Sequence, residues 1–203
     1  GTLGSSDVNV AGSLTFARDG NFANLLSGTG TVNTEGDVQL SGANTFSGAH
    51  VIAAGSRLSV TAADNLGAAA ATVDLSTNTS TLEFDGVNGT VANALSGVSG
   101  STVSVNQGAA VSLTGDNSSF QGQYALAGDS TLTVSQAQHL GQGSVDIAGG
   151  STLLFTTYAG GLLSTLNNRL SGSGDWTLSA SHLDLSNSNH AQGFSGTVNL
   201  TGG

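Results

Sequence analysis

Leu40-Ser41-Gly42-Ala43-Asn44-Thr45-Phe46-Ser47-Gly48 decides the fold, because the same phrase returns twice along the chain. The second copy runs Leu113-Thr114-Gly115-Asp116-Asn117 to Phe120-Gln121-Gly122, and the third runs Leu185-Ser186-Asn187-Ser188-Asn189 to Phe194-Ser195-Gly196. Asn stands four after Leu in every copy, and Gly two after Phe. The phenylalanines Phe46, Phe120 and Phe194 are 74 residues apart, as are Leu66-Gly67 and Leu140-Gly141. Self-similarity at a fixed period marks units that bury a core only by stacking on their neighbours.

Other phrases keep a fixed order around this one. Leu14-Thr15-Phe16, Leu82-Glu83-Phe84 and Leu153-Leu154-Phe155 come first, followed by Leu26-Ser27-Gly28, Leu95-Ser96-Gly97 and Leu170-Ser171-Gly172. Between them run short stretches with two large apolar residues two apart, such as Leu58–Val60, Val103–Val105, Leu132–Val134 and Val145–Ile147. That is the period of a strand with one wet face. Gly, Asn, Asp and Ser separate the stretches and supply the turns, since the chain has no Pro.

A sandwich or barrel has no reason to repeat at this period while its loop lengths vary. The pattern predicts an all-β chain: a right-handed parallel β-helix of roughly eight or nine coils, each of about 20 to 25 residues and rising about 4.8 Å. Residues 1–203 are read as one continuous segment of about three repeats, the first shortened, cut from a longer protein. Like then stacks on like, with Phe46, Phe120 and Phe194 in equivalent places three coils apart. Asn44, Asn117 and Asn189 sit at inward turns, where their side chains satisfy backbone groups. Leu40, Leu113, Leu185, Gly48, Gly122 and Gly196 complete the set of structural repeat positions.

Composition narrows the function. Net charge is −10, with three Arg and no Lys. Polyphosphate binding needs several cations per site, so nucleic acid is not an expected partner. An anionic membrane surface is equally disfavoured, and no apolar run is long enough for insertion of this segment into a bilayer. The absence of Cys excludes thiol catalysis and cysteine metal sites.

No catalytic, cofactor-binding or metal-ligating residues are assigned. His182-Leu183-Asp184 places an acid/base pair on one face of a strand, but no nucleophile accompanies it, and it reads as a polar face above inward Leu183 and Leu185. His50, His139 and His190 lack metal-ligand spacing. Asp74, Glu83, Asp85, Asp146 and Asp184 lie on or beside strands, where stacking can bring carboxylates together. A groove holding three or more of them with an Arg would favour a polysaccharide-active enzyme. Trp176, in the strand Trp176-Thr177-Leu178, reads as a core residue in preference to a sugar platform. The leucines of residues 158–169 read as folding back onto the core, since exposed they would form a patch that needs covering.

The phrase Leu40 to Gly48, continued by Val51-Ile52 and Gly55-Ser56-Arg57-Leu58, resembles the passenger-associated transport repeat of type V autotransporters, especially the AIDA-I-like adhesins of Gram-negative bacteria. The resemblance covers essentially the whole chain as repeats. It implies a passenger domain displayed at the cell surface and tethered to the outer membrane. The implied function is adhesion, self-aggregation or biofilm formation, without enzyme activity or cofactor. The implied partners are a copy on a neighbouring cell, or a host surface or matrix protein or glycan. The alternatives are a polysaccharide-active β-helix, lyase or hydrolase, and a non-binding spacer or folding segment near the translocator barrel.

Overall fold

The computed structural model describes residues 3–4, 6–156, 164–179, 183–186 and 193–201. Its strands pair in parallel, each strand inside a sheet with its counterparts one coil earlier and one coil later. The chain is a parallel β-solenoid, and its longest sheet stacks eight rungs. Coil length varies from the 18 residues between paired Ser13 and Thr31 to the 25 between paired Ser144 and Arg169. The differences fall in corners, which stacking does not constrain.

Three sheets form the sides of the prism, visited in the same order in every coil. The first face contains Ser13–Phe16, Thr31–Thr34, Ala49–Ile52, Thr72–Leu75 and Ala94–Gly97. The second contains the eight strands from Gly20–Phe22 through Asp37–Leu40, Arg57–Val60 and Thr81–Asp85 to Arg169–Gly172. The third runs from Asn88–Val91 to Thr197–Thr201, above the short pair Val8–Asn9 and Leu26–Ser27.

Alternation sends every second side chain inward, and register then builds columns. On the second face Val38, Leu58, Leu82, Val103, Tyr124, Val145 and Leu170 stack in one column. Leu40, Val60, Phe84, Val105, Leu126 and Ile147 stack in the next, and all of these are buried. Fully burying one such side chain contributes about 1.5–3 kcal/mol, so the columns supply the main drive for stacking. Trp176 lies in an inward column between Leu153 and Val198 at 5% exposure, a core residue as its strand context predicts. Leu166, the one leucine of the 158–169 stretch among the described residues, is also buried and folds onto the core; residues 157–163 lie outside the described residues.

The repeat phrase has a definite place in this stack. Asn44 Oδ1 accepts from Leu26 N–H in the coil below at 2.7 Å, and Asn44 Nδ2 donates to the Asn65 carbonyl above at 2.6 Å. Asn117 does the same with Leu95 N–H at 2.8 Å and the His139 carbonyl at 2.6 Å. Each Asn therefore ties three consecutive coils, in the inward-turn role expected of it. The Phe-x-Gly spacing has a steric cause. A Cβ on Gly48, Gly122 or Gly196 would lie 2.6, 2.7 or 2.9 Å from Cζ of the phenylalanine two residues earlier, with a carbonyl of the coil below also in the way. Only a residue without a side chain lets the ring fold over it.

Leu66-Gly67 and Leu140-Gly141 follow one coil later on the same face, at the ends of the short 3-10 turns Ala63–Leu66 and Ala137–His139. Gly67 and Gly141 have φ of 91° and 65°, and a Cβ on either would strike the Phe46 or Phe120 carbonyl. Positive φ and close backbone approach both call for glycine here.

One expectation is corrected. Phe46, Phe120 and Phe194 do not share a column. Phe46 follows the second-face strand Asp37–Leu40 and lies above Gly28 on the third face, with Thr45 and Ser47 N–H donating to the Leu26 and Gly28 carbonyls. Phe120 bridges Gly97 on the first face, and Phe194 bridges Gly172 on the second. Between successive phenylalanines the chain visits ten face positions, one more than three full coils contain. The 74-residue unit is thus three and a third coils, and each copy starts about a third of a turn further round the prism. The other phrases obey the same rule: Leu14, Leu82 and Leu153 lie on the first, second and third faces.

Leu40 and Leu113 are buried as repeat positions, but Leu185 is 41% exposed. Val198 and Leu200 are also exposed, although they continue the columns of Trp176 and Leu178, because no described coil lies above them. Asn189 lies outside the described residues.

Candidate functional site

Outward side chains form columns as regular as the inward ones, and on the second face they gather charge. Asp37 and Arg57 are register partners, as are Ser59 and Glu83 on the neighbouring outward column. Arg57 reaches both ways along the rod. Its Nη2 lies 3.3 Å from Asp37 Oδ2 in the coil below, and its Nη1 lies 2.9 Å from Glu83 Oε2 in the coil above. Glu83 Oε1 accepts a further bond from Asn106 Nδ2 at 2.8 Å. Asp37, Arg57 and Glu83, with Gln39, Ser59 and Asp85, border an open groove of about 430 Å³.

Of the carboxylates singled out in the sequence, the fold brings Glu83 and Asp85 into this groove and adds Asp37 and Arg57. Asp74 and Asp146 lie elsewhere and accept from the hydroxyls of Ser96 and Ser171 at 3.4 and 2.8 Å. Three carboxylates and an arginine now share one groove, the grouping that favours polysaccharide chemistry. Its internal bonding is less suited to that task, since both Glu83 oxygens are already occupied by protein donors. Among the described residues no group of three or more His, Asp or Glu side chains is placed to hold a metal ion.

The two described histidines, His50 and His139, are buried. His50 stands in the first-face column between Val32 and Val73, fully buried, with Nε2 donating to the Leu66 carbonyl at 3.1 Å and its ring edge against Phe46. Burial pushes its pKa down to about 4, and the Leu66 contact only partly offsets this. His139 is buried in its 3-10 turn, and desolvation lowers its pKa against the attraction of Asp116. Asp116 is itself held low, first by the Ser118 N–H, then by the Ser118 hydroxyl. Tyr124 occupies the place after Phe120 that His50 occupies after Phe46, and burial holds its phenol well above its usual range despite a bond from Asn117. His182 and His190 lie outside the described residues. Leu183 packs half-buried against the core, as its inward assignment requires.

Sequence reading missed Asp37, Arg57 and Ser59 as neighbours of Glu83. The available signal was alignment of the apolar pairs Val38/Leu40, Leu58/Val60 and Leu82/Phe84, which fixes the register of the outward residues between and beside them.

Fold and composition define a class: a repeat-built parallel β-solenoid segment that fits a passenger-like domain. The chain is 30% identical over 198 residues to the Adhesin BmaC autotransporter of Brucella suis biovar 1 (strain 1330), covering 88% of this chain and 6% of that protein. It is also 30% identical over 206 residues to the uncharacterized lipoprotein YdeK of Escherichia coli (strain K12), covering 100% of this chain and 14% of that protein. The chain thus spans less than a sixth of either relative. No protein-family model and no solved structure matches it. Among the described residues no helix is long and apolar enough to cross a membrane.

Proposed function

We propose that the chain is a shaft segment of a surface-displayed autotransporter adhesin. It acts without catalysis in cell adhesion, self-aggregation or biofilm formation, from a location tethered to the outer membrane. The observation that carries this reading is a parallel solenoid, with mostly polar outward columns on its three faces, in a chain that resembles an autotransporter adhesin along most of its length. A stiff rod holds a binding surface away from the cell, and many copies convert weak polar contacts into firm attachment.

The test is a comparison of cells displaying the full protein with and without this segment, at equal surface level, in sedimentation and host-matrix binding. Loss of adhesion per displayed molecule supports the reading. Unchanged adhesion with reduced display would assign the segment to spacing or folding instead.

A second reading, a polysaccharide-active β-helix, has one observation in its favour: Asp37, Glu83 and Asp85 share a groove with Arg57. Release of reducing or unsaturated ends from acidic polysaccharides, abolished by Glu83→Gln, would establish it. No release from a panel of them removes it.

A further inference from the structure

We propose that the second-face groove is a docking site for a lysine-bearing polypeptide segment of a partner protein. This deepens the adhesin reading and rests on it. The groove contains three carboxylates and one guanidinium, an excess of two negative charges in a chain that is itself at −10. Arg57 is held between Asp37 and Glu83, so its charge is turned along the rod. Asp85 borders the same groove, and its carboxylate makes no hydrogen bond or ion pair with any described residue.

An independent observation marks the floor. Ser59 is only 7% exposed, lies in the outward column between Gln39 and Glu83, and lines the groove with its hydroxyl unbonded to any described residue. Ser59 is thus largely enclosed yet has no partner for its hydroxyl among the described residues, and the hydroxyl stays within reach of solvent, so the open side of the groove is where a donor can enter. A lysine ammonium brings three donors and no acceptor. Asp85, the Ser59 oxygen and the Gln39 amide oxygen are acceptors bordering the same space, so donor and acceptor sets complement each other.

Other occupants fit less well. A second copy of the chain offers three arginines against thirteen carboxylates. A sulfated or uronic-acid glycan meets like charge. A neutral glycan finds no aromatic platform among the described residues bordering the groove, and Trp176 is buried in the core.

Calorimetric titration of the chain with a tetralysine peptide at low salt tests the proposal. Parallel titrations use the Nε-acetylated peptide, a heparin-derived oligosaccharide and a neutral cello-oligosaccharide. One-to-one binding of tetralysine is expected, lost on acetylation and weakened about tenfold by Asp85→Asn. Ser59→Ala is expected to weaken it, whereas Asp175→Asn, the same charge change four coils further up and on the third face, changes it by less than about twofold. Thermal melts confirm that the variants fold. Equal weakening by Asp85→Asn and Asp175→Asn, absence of tetralysine binding, or preference for either oligosaccharide overturns the site. Displayed on cells, Asp85→Asn with unchanged adhesion per molecule overturns the groove as the adhesive contact and leaves the shaft reading to the segment deletion.

Discussion

Asn117→Ala should be among the most damaging single substitutions of a polar residue in this chain. The side chain is fully buried and bonded at both ends, to Leu95 N–H below and to the His139 carbonyl above. Truncation leaves a buried donor and a buried acceptor in different coils without partners. Each orphan costs about 1–3 kcal/mol, so about 2–6 kcal/mol is expected in all. Asn33→Ala is the control, because Asn33 donates only to solvent-facing Ser13 and Thr15 hydroxyls. Its loss should stay within about 0.5 kcal/mol. Urea unfolding followed by far-UV circular dichroism gives the comparison. Amide exchange at Leu95 localises it, since that N–H should lose protection in Asn117→Ala alone. Equal stability of the two variants, or unchanged protection at Leu95, would refute the coil-bridging role.

Gly122→Ala should cost about 1–3 kcal/mol, because the new methyl meets the Phe120 ring and the Ser101 carbonyl, whereas Gly12→Ala, with open space around it, should be near neutral in the same urea series. Stability should also depend on His50. Its folded pKa of about 4 lies below the ordinary 6.5, so the unfolded chain binds the proton first as pH falls. The neutral core contact is fully in force above pH 6.5 and loses about 3 kcal/mol as pH drops toward 4. His50→Leu should flatten that part of a pH series of melting temperatures, and a slope identical to wild type would exclude His50 as its source. Arg57→Ala removes solvent-facing ion pairs, so its cost should stay below about 1 kcal/mol and shrink further in high salt; a larger, salt-independent loss in urea unfolding would show the pairs to be structural.

Much of the fold is legible in the sequence, because the deciding signals are local. Leu58–Val60 or Val103–Val105 announces an inward pair without reference to the rest of the chain, and the Asn and Gly of the repeat phrase have roles set within a few residues of Phe. What is not legible is which face a strand joins. Second-face Leu82-Glu83-Phe84 and third-face Leu153-Leu154-Phe155 look alike, and the third of a turn gained per repeat emerges only when corner lengths are known. The groove is hidden for the same reason. Arg57 stands 20 residues from Asp37 and 26 from Glu83, and register alone makes them neighbours. The sequence around His50 shows only that it lacks metal-ligand spacing, because its inward place depends on the strand phase set by Ile52. Alternation with Leu183 predicts an inward Leu185, yet alternation alone does not provide neighbours to cover it.

Cysteine trapping tests the stacking most directly, since the chain has no cysteine of its own. Pairs placed at Asn33 and Val51, Ser104 and Ala125, and Ser112 and Thr133 sample one register step on each of the three faces. Registered residues on adjacent parallel strands lie about 4.8 Å apart, within reach of a disulfide. Rapid intramolecular crosslinking of all three pairs, with none for Ser104 and Ser112 on different faces, is the predicted result. Failure of the three register pairs in a folded chain, or efficient closure of the cross-face pair, would contradict the solenoid register described above.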